Sequence, residues 1–329
     1  MTTASPILIA ECCQNHNGDR EILRRMIHEA AGNGADYVKI QAIRSRDLTR
    51  RERFEDGATD SRGQTTTIKR PYEPELQRLQ RLDLSIDDEL WFVDECRRAG
   101  VAAMTTVFTR TAAREVKDMG FQAVKIASYD CPSYPLLRDV ARWWKTIVVS
   151  TGACYDAEIA QAAEVLAGVD LTLLHCVTIY PTKLEDFHLR RMEWLRRFTT
   201  KVGLSDHSEV AVDGIWASKI ALALGADCIE RHFTVLAADQ TRDGRVSITP
   251  QQLRELREFA NRSRRERMQI VSREFPRWDT LLGESTRDMT QAELLNRDYY
   301  RGRFASKIGG REIYNWEEVD IDAMEMVQV

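Results

Sequence analysis

Eight short apolar segments punctuate the chain: ILIAE (7–11), YVKIQ (37–41), VAAMTTVF (101–108), QAVKIAS (122–128), TIVVS (146–150), LTLLHC (171–176), KVGLSD (201–206) and ADCIE (226–230). Most follow a helical stretch that ends in a turn signal, such as EAAGNGAD before the second and ALALGAD before the eighth. Helix, glycine, apolar strand and polar loop in repetition is the rhythm of a parallel sheet. The strands are continuously apolar, so both faces are covered. Eight such units within residues 1–265 predict an α/β chain folded as a (β/α)8 TIM barrel, a fold of typically about 250 residues. An open doubly wound sheet would show fewer strands and a glycine-rich first loop, and no GxGxxG occurs.

Two stretches break the rhythm. Residues 42–76 are long, polar and irregular, the pattern of a lid, a binding loop or disorder. Past 265 the alternation stops. Residues 266–293 read as a linker, and 294–329 as a small appendage with a hairpin at Gly309–Gly310. That appendage is too short for a core of its own, so it must pack on the barrel or on another subunit.

Composition narrows the class. Of 329 residues, 43% are hydrophobic and 30% charged, which fits a soluble globular protein with a sizeable core. A net charge of −4 argues against a nucleic-acid partner held by bulk charge. No apolar run approaches the ~20 residues of a membrane span, and MTTASPILIAE lacks the features of a signal peptide. The seven cysteines are scattered and odd in number, with no CxxC pair, so a reducing cytoplasmic setting is expected.

In a barrel, chemistry sits at the C-terminal strand ends. Those ends carry Glu11; Lys39 and Gln41; Thr106; Lys125 and Ser128; Ser150; His175, Thr178 and Tyr180; Ser205 and His207; and Glu230 and His232. Lys39 and Gln41 share a face, as do Ser205 and His207, and Glu230 and His232. His207 and His232 on adjacent strands, with Glu11 across the barrel closure, predict a divalent-metal site. Imidazole and oxygen ligands suit manganese, zinc, iron or cobalt without choosing among them. Two lysines among hydroxyls form a seat for phosphate or carboxylate, although the lysines could instead simply pair with Glu11 and Glu230. Cys12 and Cys13 are read as small packing residues. His28 and His188 are given no chemistry, and His16 none beyond a place in a site loop.

The ordered motifs IAECCQNHNG, GADYVKIQ, VKIASYD, VVSTGA, LHCVTIYPT, VGLSDHS and IERHFT resemble the sialic acid (nonulosonate) synthase family over about residues 6–260. The resemblance implies condensation of phosphoenolpyruvate with an N-acylated amino-sugar aldehyde, such as N-acetylmannosamine, and release of phosphate. It also implies a divalent metal, commonly Mn2+ with Mg2+ or Co2+ as alternatives, and a cytoplasmic homodimer. By position it assigns the metal to His207 and His232, and catalytic work to Glu11, Tyr180 and Asp243, the last in DGRVS. Phosphoenolpyruvate falls to Lys39, Thr106, Lys125, Ser128, Ser150 and Ser205. The acceptor sugar falls to Gln41, Thr178 and Arg301.

Two departures accompany the resemblance. Thr178 stands where relatives usually carry asparagine. The tail matches only the first part of the family's antifreeze-like (SAF) domain, which crosses to the partner subunit, so a swapped dimer is not assured. A non-catalytic or altered-specificity sugar-binding barrel and a barrel metallohydrolase are the alternatives. The second would more often show an early His-x-His, which is absent.

Overall fold

The computed structural model describes residues 5–326. Residues 1–4 of the barrel segment and 327–329 of the appendage lie outside the described residues. Eight parallel strands close into a barrel: β1 (Ile7–Cys13), β2 (Tyr37–Ala42), β3 (Ala102–Val107), β4 (Ala123–Ile126), β5 (Thr146–Ser150), β6 (Asp170–His175), β7 (Lys201–Asp206) and β8 (Cys228–His232). Neighbours in sequence are neighbours in space, and β1 pairs with β8 to close the ring.

Strand alternation explains how the barrel builds both a plug and a site. Ile9, Met104, Ala123, Val148, Leu174 and Cys228 form a small apolar cluster inside the barrel. Two residues further along each strand the same face carries Glu11, Thr106, Lys125, Ser150, Cys176 and Glu230, which is the period of a strand. Gly203 belongs to the same layer on β7. A Cβ there would meet the Cys228 carbonyl oxygen at 1.9 Å, so only glycine lets β7 and β8 lie this close. Residues of the opposite parity, such as Leu8, Ala10, Val38, Ile40, Leu173 and Ile229, pack outward in the main core against the helices.

The helices carry ordinary end signals. Asp19 caps Arg20–Gly32 by accepting from the Glu21 and Ile22 amides. Ser85 and Asp88 form a capping box on Ile86–Ala99, which ends at Gly100 with a φ of 73°. The segment read as a linker begins with a helix, Arg264–Glu274, whose Arg267 donates to the Leu222 carbonyl at 2.7 Å. The barrel's packing therefore runs past residue 265.

Residues 42–76 are less irregular than their composition suggested. They hold a short helix at Arg53–Asp56, a two-stranded ribbon at 58–67 and the start of the helix Tyr72–Gln80. The tail folds back onto this segment within the same chain. Helix Gln291–Tyr300 leads to a hairpin, β9 (Ser306–Ile308) and β10 (Arg311–Ile313). Gly309 and Gly310 take φ of 59° and 76° at its turn, the left-handed pair that a tight hairpin requires. Thr49 donates to the Gly302 carbonyl at 2.7 Å, and Arg51 to the Tyr299 carbonyl at 2.6 Å. The Tyr300 ring stacks on Tyr129 at 4.9 Å between centroids.

Candidate active site

The C-terminal mouth of the barrel is lined by Glu11, Lys39, Gln41, Thr106, Lys125, Ser128, Ser150, Tyr180, Ser205, His207 and His232, all candidates on sequence grounds. Glu230, Cys176, Tyr129, Phe108 and Ala127 complete the wall. Three candidates stand back from the cavity. Thr178 is buried with its hydroxyl unpartnered, and its carbonyl accepts from Asn296 at 2.7 Å. Arg301 lies 3.8 Å from Glu158 and 5.1 Å from the Trp316 ring. Asp243 sits behind His232, its Oδ2 3.8 Å from the ring nitrogen Nδ1.

Two lysines and two glutamates form the floor. Lys39 ion-pairs with Glu11 and donates to Thr106 Oγ1 at 2.7 Å. Lys125 donates to Ser150 Oγ at 2.7 Å. Glu230 lies between them, with Lys125 Nζ at 3.5 Å and Lys39 Nζ at 3.6 Å, and accepts from Ser205 Oγ at 2.7 Å. All four ions are buried. Burial raises Glu230's affinity for its proton, but Lys125 and Lys39 more than offset this and hold it at about 2. Burial pulls Lys39 down to about 7 despite the opposing pull of Glu230.

Beside this floor stand the two histidines, ring centroids 5.4 Å apart, with the half-exposed Tyr180 ring 4.1 Å from His207. Burial pulls both imidazoles below the ordinary range; for His207 the neighbouring His232 adds to the effect. Both are neutral near pH 7, and the Nδ1 atom of each is buried without a hydrogen-bond partner. Neutral, unpartnered imidazoles are the form a transition metal takes. Cys13 Sγ and the Asp243 carboxylate complete a group with His232 whose ligand atoms all lie within 4.8 Å of one another. The donor set therefore fits a divalent cation.

Asn15 holds this group together. Its amide donates to the Phe233 carbonyl and to Ser247 Oγ, both at 2.9 Å, and accepts from Thr241 at 2.6 Å. Ser247 in turn donates to the Asp243 carbonyl at 2.7 Å. The loop after β1 is thereby stapled to the loop after β8. Two other histidines are tied up in local hydrogen bonds. His175 faces away from the mouth and donates to the Phe187 carbonyl, and His16 accepts from the Gly18 amide at 3.0 Å.

Several contributors escaped the sequence reading. Glu230 was visible by parity with His232 but was read only as a partner for the lysines. Cys13 shares a face with Glu11, and Cys176 with Leu174, so alternation alone would have pointed both inward. Tyr129 follows the fourth strand, where nothing local marks it as a wall residue.

A parallel barrel with buried lysines, neutral histidines and carboxylates converging at its C-terminal mouth has the construction of a TIM-barrel enzyme. Residues 26–269 match the profile of the NeuB family, and the chain belongs to that family. It is similar to the N,N'-diacetyllegionaminic acid synthase of Campylobacter jejuni, 31% identical over 264 residues covering 76% of this chain and 74% of the relative. It is also similar to a pseudaminic acid synthase of the same species, 28% identical across 97% of this chain and 87% of the relative. Among solved structures it resembles the N-acetylneuraminic acid synthetase of Leptospira borgpetersenii, with a TM-score of 0.66 at 26% identity, covering 90% of this chain and 91% of that one. Among the described residues, no helix is long and apolar enough to cross a membrane.

Proposed function

We propose that the chain condenses phosphoenolpyruvate with an N-acylated amino-sugar aldehyde, giving a nonulosonic acid and inorganic phosphate. The lysine floor is the observation that carries this reading: two buried ammonium groups, Lys39 and Lys125, ringed by Thr106, Ser150 and Ser205 and facing the mouth. Such a seat matches a small, multiply charged anion. Its charge also matters. Two lysines against two glutamates sum to zero, whereas phosphoenolpyruvate brings about −2 on its phosphate and a further carboxylate charge. A divalent cation beside the seat offsets that excess.

Lys39 and Lys125 hold the phosphate and carboxylate, and Ser128 and Ser150 donate to their oxygens. Gln41 and Tyr180 flank the approach of the aldehyde. A divalent ion held by His207, His232 and Asp243 supplies Lewis-acid polarisation of a carbonyl and charge balance. The enol carbon attacks the aldehyde carbon, and positive charge develops at the former enol carbon. Water adds there. Glu11, within reach of Lys39, takes one of the water's protons and returns a proton to the new alkoxide. The C–O bond to phosphate then breaks as the remaining hydroxyl passes its proton to the departing phosphate, which leaves with the bridging oxygen, and a keto acid remains.

Manganese, the ion that the resemblance implies, a homodimer, a cytoplasmic setting and an SAF-like appendage at 294–329 belong to the same proposal. The names of the relatives support the synthase reaction alone. Phosphate release from phosphoenolpyruvate with Mn2+, across a panel of N-acetylmannosamine, its 6-phosphate and 6-deoxy-diacetamido hexoses, tests it. Release that requires one sugar and stops with EDTA is expected. Release without any sugar, or none with every sugar and no phosphoenolpyruvate binding, would overturn it.

A further inference from the structure

The residue at the end of β1 stands apart from the other cysteines. Cys13 is buried, and its backbone takes a φ of 38° just where the register between β1 and β2 slips. A non-glycine residue in the left-handed region is strained, and such strain persists only where the surroundings fix it. A packing cysteine has no use for this conformation. Here it aims the sulfur at the carboxylate of Asp243, with Sγ 3.1 Å from Oδ2.

The three donor atoms of Cys13, His232 and Asp243 stand within 4.8 Å of one another, close enough to share one ion. A metal about 2.0–2.1 Å from nitrogen and about 2.3 Å from sulfur, at tetrahedral angles, puts neighbouring donors roughly 3.3–3.8 Å apart. Asp243 to His232 is 3.8 Å, while Cys13 to Asp243, at 3.1 Å, is an S–H···O hydrogen bond that a metal would replace. The independent observation is His232 Nδ1, a buried ring nitrogen that no protein group satisfies. The staple through Asn15 and Ser247 fixes the two loops that carry Cys13 and Asp243.

We propose that Cys13 is a thiolate ligand of the divalent metal, sharing it with His232 and Asp243. The inference rests on the metal-dependent reading above and goes beyond it: the site becomes thiophilic. Ligation exchanges the S–H bond for a sulfur–metal bond, and the proton passes to solvent; no oxidant is needed. A shell with a sulfur, an imidazole and a carboxylate favours zinc, cobalt or ferrous iron over manganese and magnesium, which prefer all-oxygen surroundings, and on this point the inference departs from the manganese named above.

The test uses Co2+ as a spectroscopic probe in the full-length protein, with binding followed by equilibrium dialysis. The expected result is a near-ultraviolet thiolate-to-cobalt charge-transfer band that saturates with one equivalent. That band disappears in Cys13→Ser, which still binds cobalt, and persists in Cys12→Ser. Zn2+ affinity should fall on the order of 10–100-fold in Cys13→Ser, the range seen when a metal site loses a supporting group, while Mn2+ affinity changes little. A melting curve with wild-type cooperativity shows that the variant is folded, and the wild-type spectrum decides the question even if it is not. Cobalt bound without the band, or a band retained in Cys13→Ser, would overturn the thiolate while leaving the metal reading intact. No cobalt binding at all would overturn both.

Discussion

Glu11 and His232 are direct register partners across the seam where the first strand of the barrel closes on the last. The two residues of this pairing lie more than two hundred positions apart, yet closure brings an acid and an imidazole side by side. On its other side Glu11 pairs in register with Lys39. One residue thus borders both the proposed metal group and the proposed anion seat, and that position supports the proton-handling role proposed for it.

Replacing Glu11 by glutamine keeps its shape and removes its basicity. Turnover should fall about 10²–10⁴-fold, while phosphoenolpyruvate still binds. Steady-state phosphate release and calorimetric titration separate the two effects. Near-normal turnover would remove Glu11 from the proton path.

His207→Ala and His232→Ala should each cost at least about 3–4 kcal/mol of transition-state stabilisation, the scale of one lost preorganised electrostatic contact. EDTA should give the same loss in the wild type, and added metal should restore it there but not in the variants. Full activity in both variants would end the metal assignment.

Lys125 and Glu230 should behave as a coupled pair. Lys125→Met leaves a buried carboxylate with one ammonium fewer, and breaking a buried pair costs about 3–5 kcal/mol. The double variant Lys125→Met/Glu230→Gln should regain most of that stability in urea unfolding without regaining phosphoenolpyruvate affinity. A double variant that binds like the wild type would contradict the anion seat.

Lys39 sets a pH dependence. Burial leaves it titrating at about 7 in the free protein. Below that value the ammonium is already present to meet the anion. Above it, binding must take up a proton, so affinity falls as pH rises, by at most about tenfold per unit. Ligand phosphate, ionising near about 6, adds little slope in that range. Calorimetry from pH 7 to 9 should show the decline in the wild type and a flat profile in Lys39→Met. A wild-type affinity that rises with pH would contradict the argument.

The tail is expected to govern the acceptor. The free space at the mouth is about 80 Å3, whereas small-molecule pockets commonly need ~300 Å3 or more. Helix Gln291–Tyr300 adjoins this space through Tyr300, which stacks on the wall residue Tyr129, so the helix is expected to shift as substrates enter. Arg297 anchors it by donating to the Ala153 carbonyl at 2.5 Å and to both oxygens of Glu158. Arg297→Ala should speed amide exchange in 291–305 and raise the acceptor KM about tenfold, the scale of one charge-assisted hydrogen bond, with phosphoenolpyruvate affinity unchanged. Equal losses for both substrates would point to a general loosening of the barrel.

The barrel was legible because eight apolar runs with turn signals leave few ways to cover both faces of a parallel sheet. Alternation then told which of Lys39, Gln41, Ser205, His207, Glu230 and His232 point inward. What stayed hidden depends on contacts far apart in sequence. Nothing near Cys13 announces that Asp243 will stand 3.1 Å away, because that contact exists only through the Asn15 staple between two loops. His175 misled for the opposite reason: it is one residue out of phase with Leu174 and Cys176, so it faces the helices. Arg301 matched by motif, yet its position follows from where the tail folds, and in this chain it lies beside Glu158 and Trp316.

The most direct test follows the atoms of phosphoenolpyruvate. Substrate carrying oxygen-18 at the bridging position would be incubated with the accepting sugar and the products weighed by mass spectrometry. The account predicts one keto acid, heavier than the sugar by the three-carbon unit, for each phosphate released, with the label in the phosphate. Pyruvate with unreacted sugar, or label retained in the organic product, would contradict it.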